Sequence, residues 1–155
     1  MLSMLKVEKG ERLATLRDAM RDAMEAGVGI YRKADTMRAT CDTLAELKQR
    51  YRRGVRLDDR SRAFNTEWLT AIELGFMLDV AQAMAHSALE RRESRGAHVR
   101  LDGFEKRDDA GYLKHSLATY SAGGGPAIGY RPVNITRSRP EARVYGGAGK
   151  QAVLT

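Results

Sequence analysis

A chain of 155 residues with 43% hydrophobic and 30% charged side chains can bury its own core as one domain, without disulfides or a structural metal. Its formal charge of +7 falls almost wholly after residue 90, so a near-neutral body carries a basic tail that suits nucleic acid, anionic lipid or an acidic protein surface. The single cysteine, Cys41, excludes an internal disulfide and fits a reducing compartment, and no apolar run approaches the length of a membrane span.

Residues 1–10 begin Met1-Leu2-Ser3-Met4-Leu5-Lys6. They lack the apolar run of a signal peptide and are expected to form a disordered leader. From residue 11 to about 26, Leu13, Leu16, Met20, Ala23, Met24 and Gly27 recur every three or four positions, which places them on one helical face. Gly27 and Gly29 are expected to end that helix. A second helix is expected from Asp35, whose carboxylate is a suitable N-cap. Met37, Cys41, Leu44, Leu47 and Tyr51 continue the apolar stripe, and Arg50, Arg52 and Arg53 suit the negative end of the helix dipole.

Gly54 and Asp58-Asp59-Arg60-Ser61 mark a loop before a long third helix. Asn65 is its N-cap and Glu67 lies in its first turn. Trp68, Leu69, Ile72, Phe76, Met77, Val80, Met84, Ala88 and Leu89 form a broad apolar face, and the pattern runs to about Arg92. The fold class is therefore mainly α: an up-down-up, spectrin-repeat-like three-helix bundle over residues 11–93, with its methionines as core filler.

Periodicity fades after Glu93. Residues 94–145 read as an irregular arginine- and aspartate-rich extension with a short β-hairpin, its strands over 112–120 and 127–137. Gly123-Gly124-Gly125-Pro126 supplies the turn. A disordered tail is expected over 146–155.

Several clusters resemble chemistry and fail on spacing. Ser94, His98 and Asp102 share one short stretch, but no strand-to-helix elbow or oxyanion loop accompanies them. His86, His98 and His115 match no compact metal-ligand spacing. The triple glycine lacks a following Lys-Ser/Thr, and Gly27-Val28-Gly29 lacks a third glycine. No catalytic, cofactor-binding or metal-binding residue is assigned. Arg95, Arg100 and Arg107 instead alternate with Glu93, Asp102, Asp108 and Asp109, as a network of bidentate ion pairs fixing an irregular loop requires. The basic segment lacks interleaved stacking aromatics, which favours a subunit surface balanced by a partner's acids. A nucleic-acid-binding or protein-interaction module is the alternative.

Gly29-Ile30-Tyr31-Arg32, Phe64-Asn65-Thr66, Ile72-Glu73-Leu74-Gly75, Ala85-His86-Ser87-Ala88, Glu93-Ser94-Arg95-Gly96-Ala97-His98, Arg107-Asp108-Asp109, Leu113-Lys114-His115 and Arg143-Val144-Tyr145-Gly146 occur in that order. Over roughly residues 8–147 the chain resembles the C-terminal region of the fumarate reductase and succinate dehydrogenase flavoprotein subunit. The Gly-Ile-Tyr-Arg and Arg-Val-Tyr-Gly elements are nearer to fumarate reductase. The resemblance implies FAD in the full-length subunit, a capping domain over the dicarboxylate, and an iron–sulfur subunit carrying electrons toward quinone. It implies a cytoplasmic protein, its complex peripheral on the cytoplasmic face of the inner membrane, with no span in this chain and no nucleic acid. The redox machinery is expected outside this chain, which is expected to be inactive alone. Glu93, Arg95, His98, Arg100, Asp102 and Asp109 are then candidate contacts to the flavin-binding and capping domains.

Overall fold

The structure, a computed structural model, describes residues 2–138 and Glu141. Strand β1 (Glu11–Arg12) leads into helix α1 (Leu13–Val28), and β2 (Tyr31–Arg32) into α2 (Ala34–Arg53). Strand β3 (Val55–Arg56) precedes α3 (Thr66–Glu90), and β4 (Val99–Arg100) and the one-turn α4 (Asp109–Tyr112) follow. Strands β5 (Lys114–Thr119) and β6 (Ala127–Pro132) close the described chain as an antiparallel hairpin, from Lys114 opposite Pro132 to Thr119 opposite Ala127.

Two parallel ladders tie the ends of the bundle. β1 pairs with β3, which joins the start of α1 to the end of α2, and β2 pairs with β4, which joins the end of α1 to the segment after α3. The helices therefore run up, down and up, as expected. The ladders are too short to leave a period in the sequence. Leu16, Met37, Leu44, Leu74 and Leu78 are fully enclosed between the helices, and burying each such side chain contributes about 1.5–3 kcal/mol.

Four expectations are corrected. α1 ends at Gly29, its C-cap, as expected, but Gly27 has no part in that ending: it lies inside the helix, which continues through Val28. Gly27 lies where α1 crosses α2: a Cβ there would stand 1.9 Å from Thr40 Oγ1, so the glycine permits close approach and does not break the helix. Asp35 is not the α2 cap. Its Oδ1 accepts from the neighbouring Thr36 N–H at 2.8 Å, and Lys33 at the N-cap makes no side-chain cap bond. Residues 2–10, expected within a disordered leader, have a definite structure. Leu2–Lys6 form a 3-10 turn, and Met4 and Leu5 pack against the core.

The fourth correction concerns α3. The bundle takes the side carrying Ala71, Leu74, Leu78, Ala81, Ala85 and Ala88. That choice follows from contact distance. Gly75 brings α3 so near α2 that a Cβ there would meet Tyr51 Oη at 2.7 Å, and Tyr51 Oη–H donates to Ala71 O at 3.0 Å. Of the apolar residues read as facing the core, Ala88 is buried and Trp68 and Leu89 pack against it, but others are turned outward: Phe76 is 60% exposed, Val80 58% and Met84 51%. α3 is apolar on nearly all sides, so periodicity alone cannot select the buried side. The expectation at the helix start holds, since Asn65 Oδ1 accepts from Trp68 N–H at 2.7 Å.

The hairpin is shorter than expected and lies against α3, mostly exposed. The tail over 146–155 falls outside the described residues.

Candidate functional site

The segment after α3 folds around two buried ions of opposite sign. Glu93 is 0% exposed. Its carboxylate accepts from Arg91 Nη1 at 2.5 Å, Arg95 Nε at 2.8 Å, Arg95 Nη2 at 3.0 Å and the Asp108 N–H at 2.8 Å. Burial alone raises this carboxyl, but Arg95, the Asp108 amide and Arg91 outweigh it and hold it below the usual carboxylate range. Arg95 Nη2 also donates to Asp109 Oδ1 at 2.6 Å, and Arg107 Nη2 to Asp109 Oδ2 at 2.8 Å. The Arg95 hydrogen bond leads in depressing the Asp109 carboxyl.

Arg100, 1% exposed, is the second buried ion. Its Nε and Nη2 grip the two Asp102 oxygens at 2.8 and 2.7 Å, and its Nη1 donates to Leu89 O at 3.3 Å and Arg91 O at 3.0 Å. The guanidinium thus satisfies carbonyls left free at the end of α3. The Arg100 bonds, against the effect of burial, hold the Asp102 carboxyl low.

His98 bonds Arg91 O through Nε2 at 3.0 Å and Arg32 Nη1 through Nδ1 at 2.6 Å. A carbonyl accepts and a guanidinium donates, so Nε2 carries the proton and Nδ1 is bare. Burial pushes the imidazole below its ordinary range, and Arg32 and Arg100 add to the shift against the Arg91 carbonyl. His98 is neutral and locked in one tautomer.

The chemistry this permits is positional. Ser94 Oγ donates to Phe104 O at 2.8 Å and accepts from Arg100 N–H at 2.9 Å, while Asp102 is held by Arg100. Ser94, His98 and Asp102 therefore form no proton relay. Among the described residues no group of three or more His, Cys, Asp or Glu side chains is placed to hold a metal ion. Nor do the described residues offer a dinucleotide a cradle. Gly27 and Val28 lie inside α1, and the parallel ladders are two residues long, so no extended strand feeds a glycine turn and helix. No described helix is long and apolar enough to cross a membrane.

The structure gathers Glu93, Arg95 and Asp109 into one cluster and Arg100 with Asp102 into a second, with His98 beside Arg91 and Arg32. Glu93 and Arg100 are closed off within the chain, whereas Arg95, His98, Asp102 and Asp109 keep part of their surface. Arg91 and Arg32 escape the sequence reading. Arg91 sits at the end of a helical pattern, and Arg32 reaches His98 across 66 positions, a separation without any local signal. Outside this network, Met20, Met24, Phe76, Met77, Val80 and Met84 line an apolar groove of about 510 Å³ between α1 and α3.

The family described as "Fumarate reductase flavoprotein C-term" matches residues 17–145. The chain belongs to this family. The fumarate reductase flavoprotein subunit of Haemophilus influenzae is 53% identical over 141 residues, which are 91% of this chain and 23% of that protein. The succinate dehydrogenase flavoprotein subunit of Coxiella burnetii is 42% identical over 125 residues, 81% of this chain and 20% of that one. A solved structure of a mutant Escherichia coli quinol fumarate reductase superposes with a TM-score of 0.84 at 50% identity, covering 94% of this chain and 25% of that one. The higher identity lies on the fumarate reductase side, as the motifs implied. The chain spans about a quarter of the length of these flavoprotein relatives, and its fold is that of their C-terminal helical region.

Proposed function

We propose that this chain buttresses a fumarate reductase flavoprotein subunit, packing against the flavin-binding and capping parts and contributing no catalytic residue. The observation that carries this reading is the outward stripe of Phe76, Met77, Val80 and Met84 on α3, an apolar surface of the kind that marks a protein interface. The arginine–carboxylate network supports it too, because its bonds brace the chain internally and present no reactive group to a substrate. Arg95, His98, Asp102 and Asp109 border the partner in this reading, with Glu93 and Arg100 fixing the loop behind them. The described residues do not fit FAD, so hydride transfer between flavin and dicarboxylate belongs to polypeptide beyond this chain, and onward electron transfer to an iron–sulfur subunit. The assembled complex lies on the cytoplasmic face of the inner membrane.

The test is direct. Purified chain is expected to show no flavin absorbance and no fumarate reduction with a viologen donor. Turnover well above background would overturn the proposal.

A further inference from the structure

A second cleft, of about 420 Å³, opens where the ends of α1 and α3 meet the start of β5, and Arg32, Arg91, His98, Lys114, His115 and Ser116 are among its lining residues. No acidic side chain lines it. Arg91 is matched by Glu93. Arg32 and Lys114 pair with no carboxylate among the described residues. Arg32 donates to Gly29 O at 2.6 Å, Val28 O at 3.0 Å and His98 Nδ1, all uncharged acceptors. A guanidinium carries two N–H on each η nitrogen, so one N–H remains on Nη1 and one on Nη2. The Lys114 ammonium stands 4.0 Å from the centre of the Tyr130 ring and 5.1 Å from that of Tyr112. These contacts hold it in place and leave its charge without a carboxylate. Every aspartate and glutamate of the sequence lies among the described residues, so no side chain of the undescribed tail can supply the missing charge.

We infer that this cleft binds a carboxylate, supplied as an Asp or Glu side chain of the polypeptide that packs on α3. The carboxylate chemistry follows from an unmatched guanidinium with a free N–H on each η nitrogen, in a cleft that Lys114 and Ser116 also line. The polypeptide source follows from continuity. Met84 lines both this cleft and the apolar groove beside it, so one docked surface with apolar residues and a single acid at its edge covers both. The source rests on the interdomain reading above, but the chemistry of the cleft does not.

Two measurements separate them. The first titrates the purified chain with acetate, succinate and phosphate at constant ionic strength, following the Arg32 Nε–H and His115 ring resonances. Acetate should saturate with a dissociation constant on the order of 10 mM, and K114Q and R32Q should each weaken it about tenfold or more. K114Q removes no helix-terminal bond, so it remains informative even where R32Q unfolds α1. A response absent for acetate, unchanged in K114Q, or reproduced by sodium chloride overturns the cleft. Phosphate binding more tightly than acetate overturns the carboxylate assignment, and succinate exceeding acetate by more than about tenfold overturns the side-chain source. The second measures capture of the flavin-bearing part of a fumarate reductase subunit by wild type and by K114E. If wild type captures it, the charge reversal should lower affinity at least tenfold, and equal capture overturns the docked acid. Failure of wild type to capture it removes the interdomain reading and, with it, the side-chain source, while the acetate result stands.

Discussion

Asp102 Oδ2 accepts the backbone N–H of Ala34 at 2.7 Å, so the carboxylate gripped by Arg100 also caps α2 from 68 positions away. The helix has no side-chain cap of its own. One residue therefore couples the loop after α3 to the start of α2, beside the ladder that pairs β2 with β4.

Removing that carboxylate does two kinds of damage. Loss of a cap costs about 1 kcal/mol, and leaving the buried Arg100 without its partner costs about 3–5 kcal/mol. D102A is expected to destabilise the chain by at least about 3 kcal/mol in urea unfolding. D102N keeps a cap acceptor and should lose less. Equal losses would place the whole effect in the ion pair.

Glu93 gives a pH prediction whose sign is fixed. Its folded carboxyl lies below the usual range, as do those of Asp102 and Asp109. Their stabilisation is present above the unfolded carboxylate range near pH 4 and disappears as pH falls through the lower folded values. Urea midpoints should drop steeply below about pH 4. E93Q should lower the midpoint at pH 7 and flatten the acid limb. An acid limb unchanged in E93Q would remove Glu93 from this account.

His98 acts in a separate window. Its folded imidazole titrates below the ordinary range because it is buried. The unfolded chain therefore takes up a proton first as pH drops below about 6.5, the ordinary imidazole value. Stability is complete above that value and declines as pH falls toward the folded value. H98Q should abolish the part of the decline between about pH 6.5 and pH 5, and NMR of the wild-type ring should report the Nε2–H tautomer at pH 7. A protonated ring at that pH would contradict the bonding to Arg32 and Arg91.

The sequence states the bundle and the ion pairs for different reasons, and it misleads where two physical rules compete. Leu13, Leu16 and Met20 announce α1 because only one side of that helix is apolar. Asn65 announces α3 because its side chain acts locally on Trp68. Glu93, Arg95, Arg100 and Asp102 are legible as pairs because they lie within a few positions of one another. Arg32 with His98, and Asp102 with Ala34, carry no such mark, since the fold alone makes them neighbours. α3 is the instructive failure. Phe76, Val80 and Met84 look like core, yet the close approach of Gly75 to Tyr51 selects the side of Ala71, Leu74, Leu78 and Ala81. Gly27 misleads similarly, because a glycine that permits a helix crossing is indistinguishable in sequence from one that ends a helix.

That reading of Gly27 can be tested apart from the site. A methyl group there would stand 1.9 Å from Thr40 Oγ1, whose single O–H is shared between Thr36 O at 3.0 Å and Ala23 O at 3.2 Å. Alanine is the better helix former by about 1 kcal/mol, so a glycine serving only to end α1 would tolerate replacement. Overpacking a close crossing costs about 1–3 kcal/mol, which outweighs that gain. G27A is therefore expected to destabilise by about 1 kcal/mol net. T40A removes the hydroxyl in the way and should recover part of the loss, giving a favourable coupling in a double-mutant cycle. If G27A stabilises the chain, or if its effect and that of T40A simply add, the α1–α2 crossing is not what requires glycine at this position.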